Sequence, residues 1–341
     1  MTSVDGNAAV GTWTASPPVG FSADALTRAH VWELLLAARR LRASPGAGDG
    51  PVTVRFLDID GIVREGKDEE SSAPRTLLAL GPHGWRAGDA MRAAGDDARA
   101  FLALHLPALA GGPDARFVVA HLGQSVDGCI AAASGHAFYV TGPENLAHLH
   151  RLRALSDAVV LGAGSVAADD PRLTVRLVEG ASPVRVVIDP DRRLGSPRRV
   201  FDDGEVETVV ASTAAAATAV GARDGGPGIG RATRLVVDGR ADGPGLDLAR
   251  LLDALAARGL RRVFVEGGGV TVSRFVEDGL VDRLHVAIAP VLIGRGVPGL
   301  ALAPVASMDE ARRPPCRLHR MGEDVLWDFD LAALRATGKT P

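Results

Sequence analysis

From residue 116 onward the chain repeats one pattern, a short β-branched run followed by a segment of helical spacing. The runs RFVVAHL (116–122), AVVLGA (158–163), VRVVIDP (184–190), VETVVAS (206–212), RLVVDG (234–239), RRVFVEGG (261–268) and RLHVAIAPVLI (283–293) read as strands. PENLAHLHRLRAL (143–155), LDLARLLDALAARG (246–259) and VTVSRFVEDG (270–279) read as helices. Parallel strands need a long crossover, so strands alternating with helices predict an α/β domain with a mostly parallel sheet flanked by helices. RLHVAIAPVLI and CRLHRMGEDVLWDFDL (316–331) follow each other with no clear helix between them, which predicts an antiparallel C-terminal edge. TAAAATAVGARDGGPGIGRAT (213–233) is low in complexity and reads as a long loop.

The first third has a different texture. Residues 1–20 are polar and read as a loose arm. SADALTRAHVWELLLAARRLRA (22–43) reads as a helix that Ser22 caps, broken by SPGAGDGP (44–51). VTVRFLDI (52–59) and RTLLAL (75–80) read as strands around a charged loop (66–74), and DDARAFLALHLPAL (96–109) as helical up to Pro107. GGPD (111–114) reads as the boundary. The expected division is a smaller α+β N-terminal domain over 1–112, the larger domain over 113–332 and a tail over 333–341. FLDIDGIV (56–63) superficially resembles the start of aspartate-nucleophile phosphatases, but Ile62 replaces the required residue and no downstream lysine and acidic block follows. Asp58 and Asp60 are expected at a strand-to-turn junction. Trp13, Trp32 and Trp85 mark a core or an interface, and no function is read for this segment.

Net charge is −3, so no strong field is expected for nucleic acid or an anionic membrane surface. Cys129 and Cys316 are the only cysteines, too few for a disulfide framework or a conventional cysteine zinc site. No apolar run approaches the ~20 residues of a membrane span, and the N-terminus lacks a secretory pattern. The expectation is a soluble cytoplasmic protein. His148 and His150, two apart on a helix, face different sides, and no metal site is expected; His285, in a strand, reads as structural.

Two loops carry the candidate chemistry. In VFVEGGGVTVSRF (263–275) a strand ends at Glu266, three glycines follow, and a helix opens near Val270 and Thr271. Glycines let backbone approach a ligand, and a helix start points N–H groups at an anion. The same pattern also fits a tight turn that needs glycine for packing. Glu266, at a strand's carboxyl end, is placed to face a ligand crevice. In GAGSVAADDPRLTVR (162–176), Gly162 and Gly164 permit close approach, Ser165 offers a hydroxyl, Asp169 fits a ribose hydroxyl or a turn cap, and Arg176 projects at the far end. Arg151 and Arg153 lie upstream, and arginine's planar fork suits phosphate.

In chain order, AHLGQSVDGCIA (120–131), SGHAFYVTGPE (134–144), HRLRALSDAVVLGAGSVAADDPRLTVR (150–176), VRVVID (184–189), VEGGGVTVSRFVEDGLVD (265–282) and APVLIG (289–294) resemble one family. It is the reductase domain of the bifunctional riboflavin-biosynthesis deaminase–reductase, with a dihydrofolate-reductase-like fold. The resemblance covers roughly residues 115–331. It implies an NADPH-dependent oxidoreductase of the 5-amino-6-(5-phosphoribosylamino)uracil reductase type, which reduces the sugar carbon of a ribosylaminopyrimidine 5′-phosphate to the ribityl product, and a homodimer. Carried over, it places the substrate phosphate on Arg153, Arg176 and the backbone near Leu173. Glu266, the candidate catalytic residue, and His121 then face the substrate. Gly123, Tyr139, Ser165, Asp169, Gly268, Gly269, Val270 and Thr271 line the cofactor.

This sequence departs from the family at His121, where a lysine is usual, and at Ala137, Tyr139 and Pro190. Arg192 and Arg193 are candidates for a 2′-phosphate. Residues 1–112 contain no cysteine, so the zinc deaminase is absent. A reductase of another pterin or pyrimidine and a non-catalytic NADPH-binding regulatory protein stay open as alternatives.

Overall fold

The computed structural model describes residues 26–42, 54–58, 63–66, 76–81, 84–112, 114–137, 140–221 and 228–338. Ser22, Trp13, Asp60, Ile62, Tyr139, the N-terminal arm and most of the 44–51 and 66–74 loops lie outside them. The chain divides into two compact units, Met1–Pro113 and Asp114–Pro341.

The first unit contains α1 (Arg28–Arg42), β1 (Val54–Asp58), β2 (Val63–Gly66), β3 (Thr76–Gly81), β4 (Gly84–Ala87), α2 (Asp89–Arg92) and α3 (Asp96–His105). The strands form an antiparallel sheet in the order β2-β1-β3-β4. Trp32 and Trp85 are both buried, and Trp85 Nε1 donates to the Ala38 carbonyl at 3.0 Å. The helix expected to run up to Pro107 ends at His105 and tightens into a 3-10 turn over Leu106–Leu109, because Pro107 has no N–H to continue the ladder.

The second unit runs β5 (Phe117–Ser125), β6 (Cys129–Ala131), α4 (Pro143–Leu155), β7 (Ala158–Gly162), α5 (Ala163–Asp169), β8 (Val184–Ile188), α6 (Arg199–Asp202), β9 (Thr208–Ser212), α7 (Ala214–Gly221), β10 (Thr233–Val236), α8 (Leu248–Ala257), β11 (Arg262–Glu266), α9 (Gly269–Glu277), β12 (Arg283–Ala289), β13 (Val297–Pro298), β14 (Cys316–Met321), β15 (Asp324–Asp330) and α10 (Leu331–Ala336). Among the described residues nine strands form one sheet in the order β10-β9-β8-β7-β11-β5-β12-β15-β14. The pairs from β10 to β12 are parallel, and β15 and β14 add antiparallel at one edge, as the alternation and its final break predict.

The two faces of the sheet bury separate cores. Leu251, Leu252 and Leu255 of α8 and Val272 and Phe275 of α9 pack on one. Leu152 of α4, Val166 of α5 and Phe201 of α6 pack on the other. Strands sandwiched this way read as continuous apolar runs, and β7 and β9 are buried at every position.

Three sequence expectations are corrected. The stretch 163–169, read as a loop, forms helix α5, which ends in a left-handed Asp170 (φ 40°). The stretch 213–233, read as one loop, opens with helix α7, where alanines supply the propensity that composition alone disguised; residues 222–227 lie outside the described set. The tail read from 333 is part of α10, capped by Asp330, whose side chain accepts from the Ala333 N–H at 2.8 Å, and anchored by buried Leu331 and Leu334.

Candidate active site

At the carboxyl ends of β7, β8 and β11 a cleft of ≈ 1270 Å³ opens, bordered by His121, Asn145, Ser165, Asp169, Glu266 and Thr271 among others. Pockets for one small ligand commonly span about 300–1,000 Å³, so this cleft has room for more than one. Its position matches the crevice rule for open α/β sheets.

Two strand-to-helix corners, β7–α5 and β11–α9, meet at its floor. Gly268 lies between Glu266 and α9 with φ 71°, a conformation that disfavours a side chain. A Cβ there would sit 2.6 Å from Ser165 Oγ. A Cβ on Gly269 would meet the Gly299 carbonyl and lie 2.9 Å from that of Pro298, so the 298–299 backbone closes over the start of α9. The glycines are therefore required by packing, and they leave the first turn of α9 bordering the cleft at Val270 and Thr271. Gly123, Ser165 and Asp169 border the same space, and burial raises the Asp169 carboxyl. Tyr139 lies outside the described residues. Of the two arginines after β8, Arg193 borders the cleft while Arg192 is buried with φ 56°, so Arg192 is withdrawn as a candidate.

Beside this floor is a cationic cluster. Arg153, buried on α4, closes its fork on Glu266: Nε donates to Oε2 at 2.7 Å and Nη2 to Oε1, while Nη1 donates to the Thr174 carbonyl at 2.8 Å. Arg153, expected on the substrate phosphate, has its planar edge held by a carboxylate. Arg176 is exposed on the far side of Thr174, donating to its Oγ1 at 2.7 Å. Desolvation, then repulsion from Arg153 and Arg172, lowers its pKa, which marks a place where an added anion is favoured. Leu173, at φ 55° and buried, turns the chain so that Thr174 and Arg176 face α4.

His150 ties the cluster together. Its Nδ1 accepts the backbone N–H of Arg176 at 2.8 Å. Desolvation, followed by Arg153 and Arg176, pushes its pKa down to about 4, so it is neutral at physiological pH and can accept. His121 is buried at the inner wall, with Nε2 2.9 Å from Asn145 Oδ1. Among the described residues no group of His, Cys, Asp or Glu is arranged to hold a metal ion.

Sequence reasoning missed Asn145 and His150. Their signal was polar residues on the buried side of an otherwise apolar helix: Asn145, His148, His150 and Arg153 are all buried on α4.

A family profile described as the RibD C-terminal domain matches residues 116–308. The chain is 33% identical over 220 residues to a Methanothermobacter thermautotrophicus protein named 2,5-diamino-6-ribosylamino-4(3H)-pyrimidinone 5′-phosphate reductase, covering 62% of this chain and 97% of that one. A protein of the same name from Archaeoglobus fulgidus is 32% identical over 188 residues, covering 52% of this chain and 82% of its own. A solved structure from Thermotoga maritima, described as a diaminohydroxyphosphoribosylaminopyrimidine deaminase/5-amino-6-(5-phosphoribosylamino)uracil reductase, superposes with a TM-score of 0.54 at 21% identity, over 69% of this chain and 61% of that one. RibD from Acinetobacter baumannii superposes with a TM-score of 0.56 at 18% identity, over 89% of this chain and 98% of that one. At these identities the solved structures speak to the fold.

Proposed function

The chain belongs to the RibD C-terminal domain family, and on that premise we propose that it is an NADPH-dependent reductase of a ribosylaminopyrimidine 5′-phosphate. The observation that carries the reading is the juxtaposition of a glycine-built cleft with the Glu266–Arg153–Arg176 cluster. The match over 97% of the Methanothermobacter reductase supports it.

The residues present fit a dinucleotide. The start of α9, which borders the cleft at Val270 and Thr271, offers backbone donors to a pyrophosphate. Asp169 is the candidate for a ribose hydroxyl. Arg193 is the candidate for a 2′-phosphate, which makes NADPH the expected form. The bound nicotinamide supplies a hydride. The protein's part is orientation: Arg176, beside the Arg153–Glu266 pair, is the candidate to hold the substrate phosphate, and that anchor sets how far the sugar carbon C1′ reaches into the cleft. Glu266, fixed by Arg153, is the candidate acceptor for polar hydrogens of the substrate.

Leu318, on the edge strand β14, and Val291, Leu292 and Met308 are exposed apolar residues, 40–77% accessible, which supports pairing with a second copy as a homodimer. Free Cys129 and Cys316 suit a reducing cytosol. The test of the activity is NADPH oxidation with the 2,5-diamino-pyrimidinone and the 5-amino-uracil forms of the ribosylamino 5′-phosphate. Turnover of either, abolished when the phosphate is removed, is the expected result. Tight NADPH binding with no oxidation by either would favour a regulatory protein instead.

A further inference from the structure

The two nitrogens of the His121 ring stand in different surroundings. His121 lies on β5 between Glu266 of β11 and His285 of β12, in register with both. Asn145 Nδ2 donates to Thr141 Oγ1 at 2.9 Å, which turns Asn145 Oδ1 toward His121 Nε2, 2.9 Å away. Nε2 therefore carries the ring proton and Nδ1 keeps its lone pair. Among the described residues Nδ1 has no hydrogen-bond partner, and the cleft adjoins this ring.

The ring is also braced from behind. The His148 ring lies 5.8 Å from it, His148 Nε2 is 3.1 Å from His285 Nδ1, and His285 Nε2 is 3.2 Å from Asp328 Oδ1. Asp328 is gripped in turn by Arg283. The groups facing His121 are thus Glu266 from β11, His285 from β12, and Asn145 and His148 from α4. Desolvation, then His285, lowers its pKa to about 4, against the opposing pull of Asn145 and Glu266. It rests neutral and, once protonated, gives the proton up readily.

We propose that His121 Nδ1 is the proton shuttle of the reduction, taking the proton of the exocyclic nitrogen as the sugar ring opens and returning it to that nitrogen. This rests on the function proposed above. As the ring opens, the C1′–O4′ bond breaks and its electron pair goes to O4′, which takes a proton from water. The N–H pair becomes the second C1′–N bond, and that proton moves to Nδ1. When C1′ takes up a hydride, which a nicotinamide bound in the cleft would supply, the C=N π pair returns to nitrogen, and nitrogen takes the proton from Nδ1. One hydride and one proton are consumed, and His121 ends neutral.

The test uses the full chain with NADPH and the ribosylaminopyrimidine 5′-phosphate. His121→Gln should lower kcat by about 100-fold or more while both KM values stay within about threefold. Asn145→Asp sets a carboxylate against Nε2–H and should move the acid limb of the kcat profile upward by about one pH unit or more. A His121→Gln enzyme within twofold of the parent kcat would overturn the proposal. So would an acid limb unmoved by Asn145→Asp, which serves as the test should His121→Gln not fold. A limb that disappears in Glu266→Gln but persists in His121→Gln assigns the proton to Glu266 and also overturns it. If the unaltered protein turns over no pyrimidine phosphate, the proposed function fails instead.

Discussion

Arg153 and Glu266, 113 positions apart, form a two-pronged ion pair whose side chains are only 8% and 13% accessible. Removing one partner leaves the other's charge buried without compensation, which costs about 3–5 kcal/mol for a well-buried pair. Arg153→Ala and Glu266→Ala should each destabilise by a few kcal/mol on this scale, and the double variant by clearly less than the sum. Urea unfolding of the four proteins measures the coupling. Strictly additive losses would mean that the pair contributes nothing as a pair.

Arg176 is exposed and already desolvated against other cations, so its loss should be felt by the substrate's phosphate and little by the fold. Arg176→Ala is expected to raise KM for the phosphorylated pyrimidine by about 10–100-fold, the scale of one charge-assisted contact, and to leave KM for NADPH unchanged. Equal effects on the two constants would remove Arg176 from the phosphate site.

The glycine floor has its own signature. Gly268→Ala forces a side chain into φ 71° and against Ser165 Oγ, and Gly269→Ala drives a methyl into the Gly299 carbonyl. Each should weaken NADPH binding more than pyrimidine binding, read by calorimetric titration of the two ligands separately. Unaltered NADPH affinity in both variants would place the dinucleotide elsewhere.

Burial holds two histidines neutral. His121 and His150 are lowered from 6.5 to about 4, and desolvation also lowers His285. Between pH 4 and 6.5 the unfolded chain therefore binds more protons than the folded one, so stability is complete above about pH 6.5 and is lost as pH falls toward 4. His121 alone would contribute up to about 3 kcal/mol across that window. Unfolding free energies measured at several pH values should rise across it and then level. His121→Gln should flatten part of the slope, and a slope unchanged by that substitution would contradict the assignment.

Much of this was legible before any coordinates. The parallel strands are buried on both faces, so they read as plain β-branched runs, and the helical spacing over 143–155 matches α4. The Glu266 corner was visible because strand, glycines and helix are contiguous. Helix α5 was hidden by Gly164 inside it and Gly162 just before it, since tertiary packing of Ala163 and Val166 rather than local propensity holds it. The contacts that make the site were beyond reach for a different reason. Arg153 to Glu266, His150 to the Arg176 amide and Asn145 to His121 each join distant elements, and no spacing along the chain encodes which partner a buried arginine or histidine will find.

The account stands on a cleft that holds a dinucleotide beside an anchored phosphate. Initial rates of NADPH oxidation, measured side by side with a ribosylaminopyrimidine 5′-phosphate and with its dephosphorylated counterpart, address that arrangement. Turnover confined to the phosphorylated compound, with a ribityl product, is the predicted result. Equal rates with both compounds, or no oxidation with either, would contradict it.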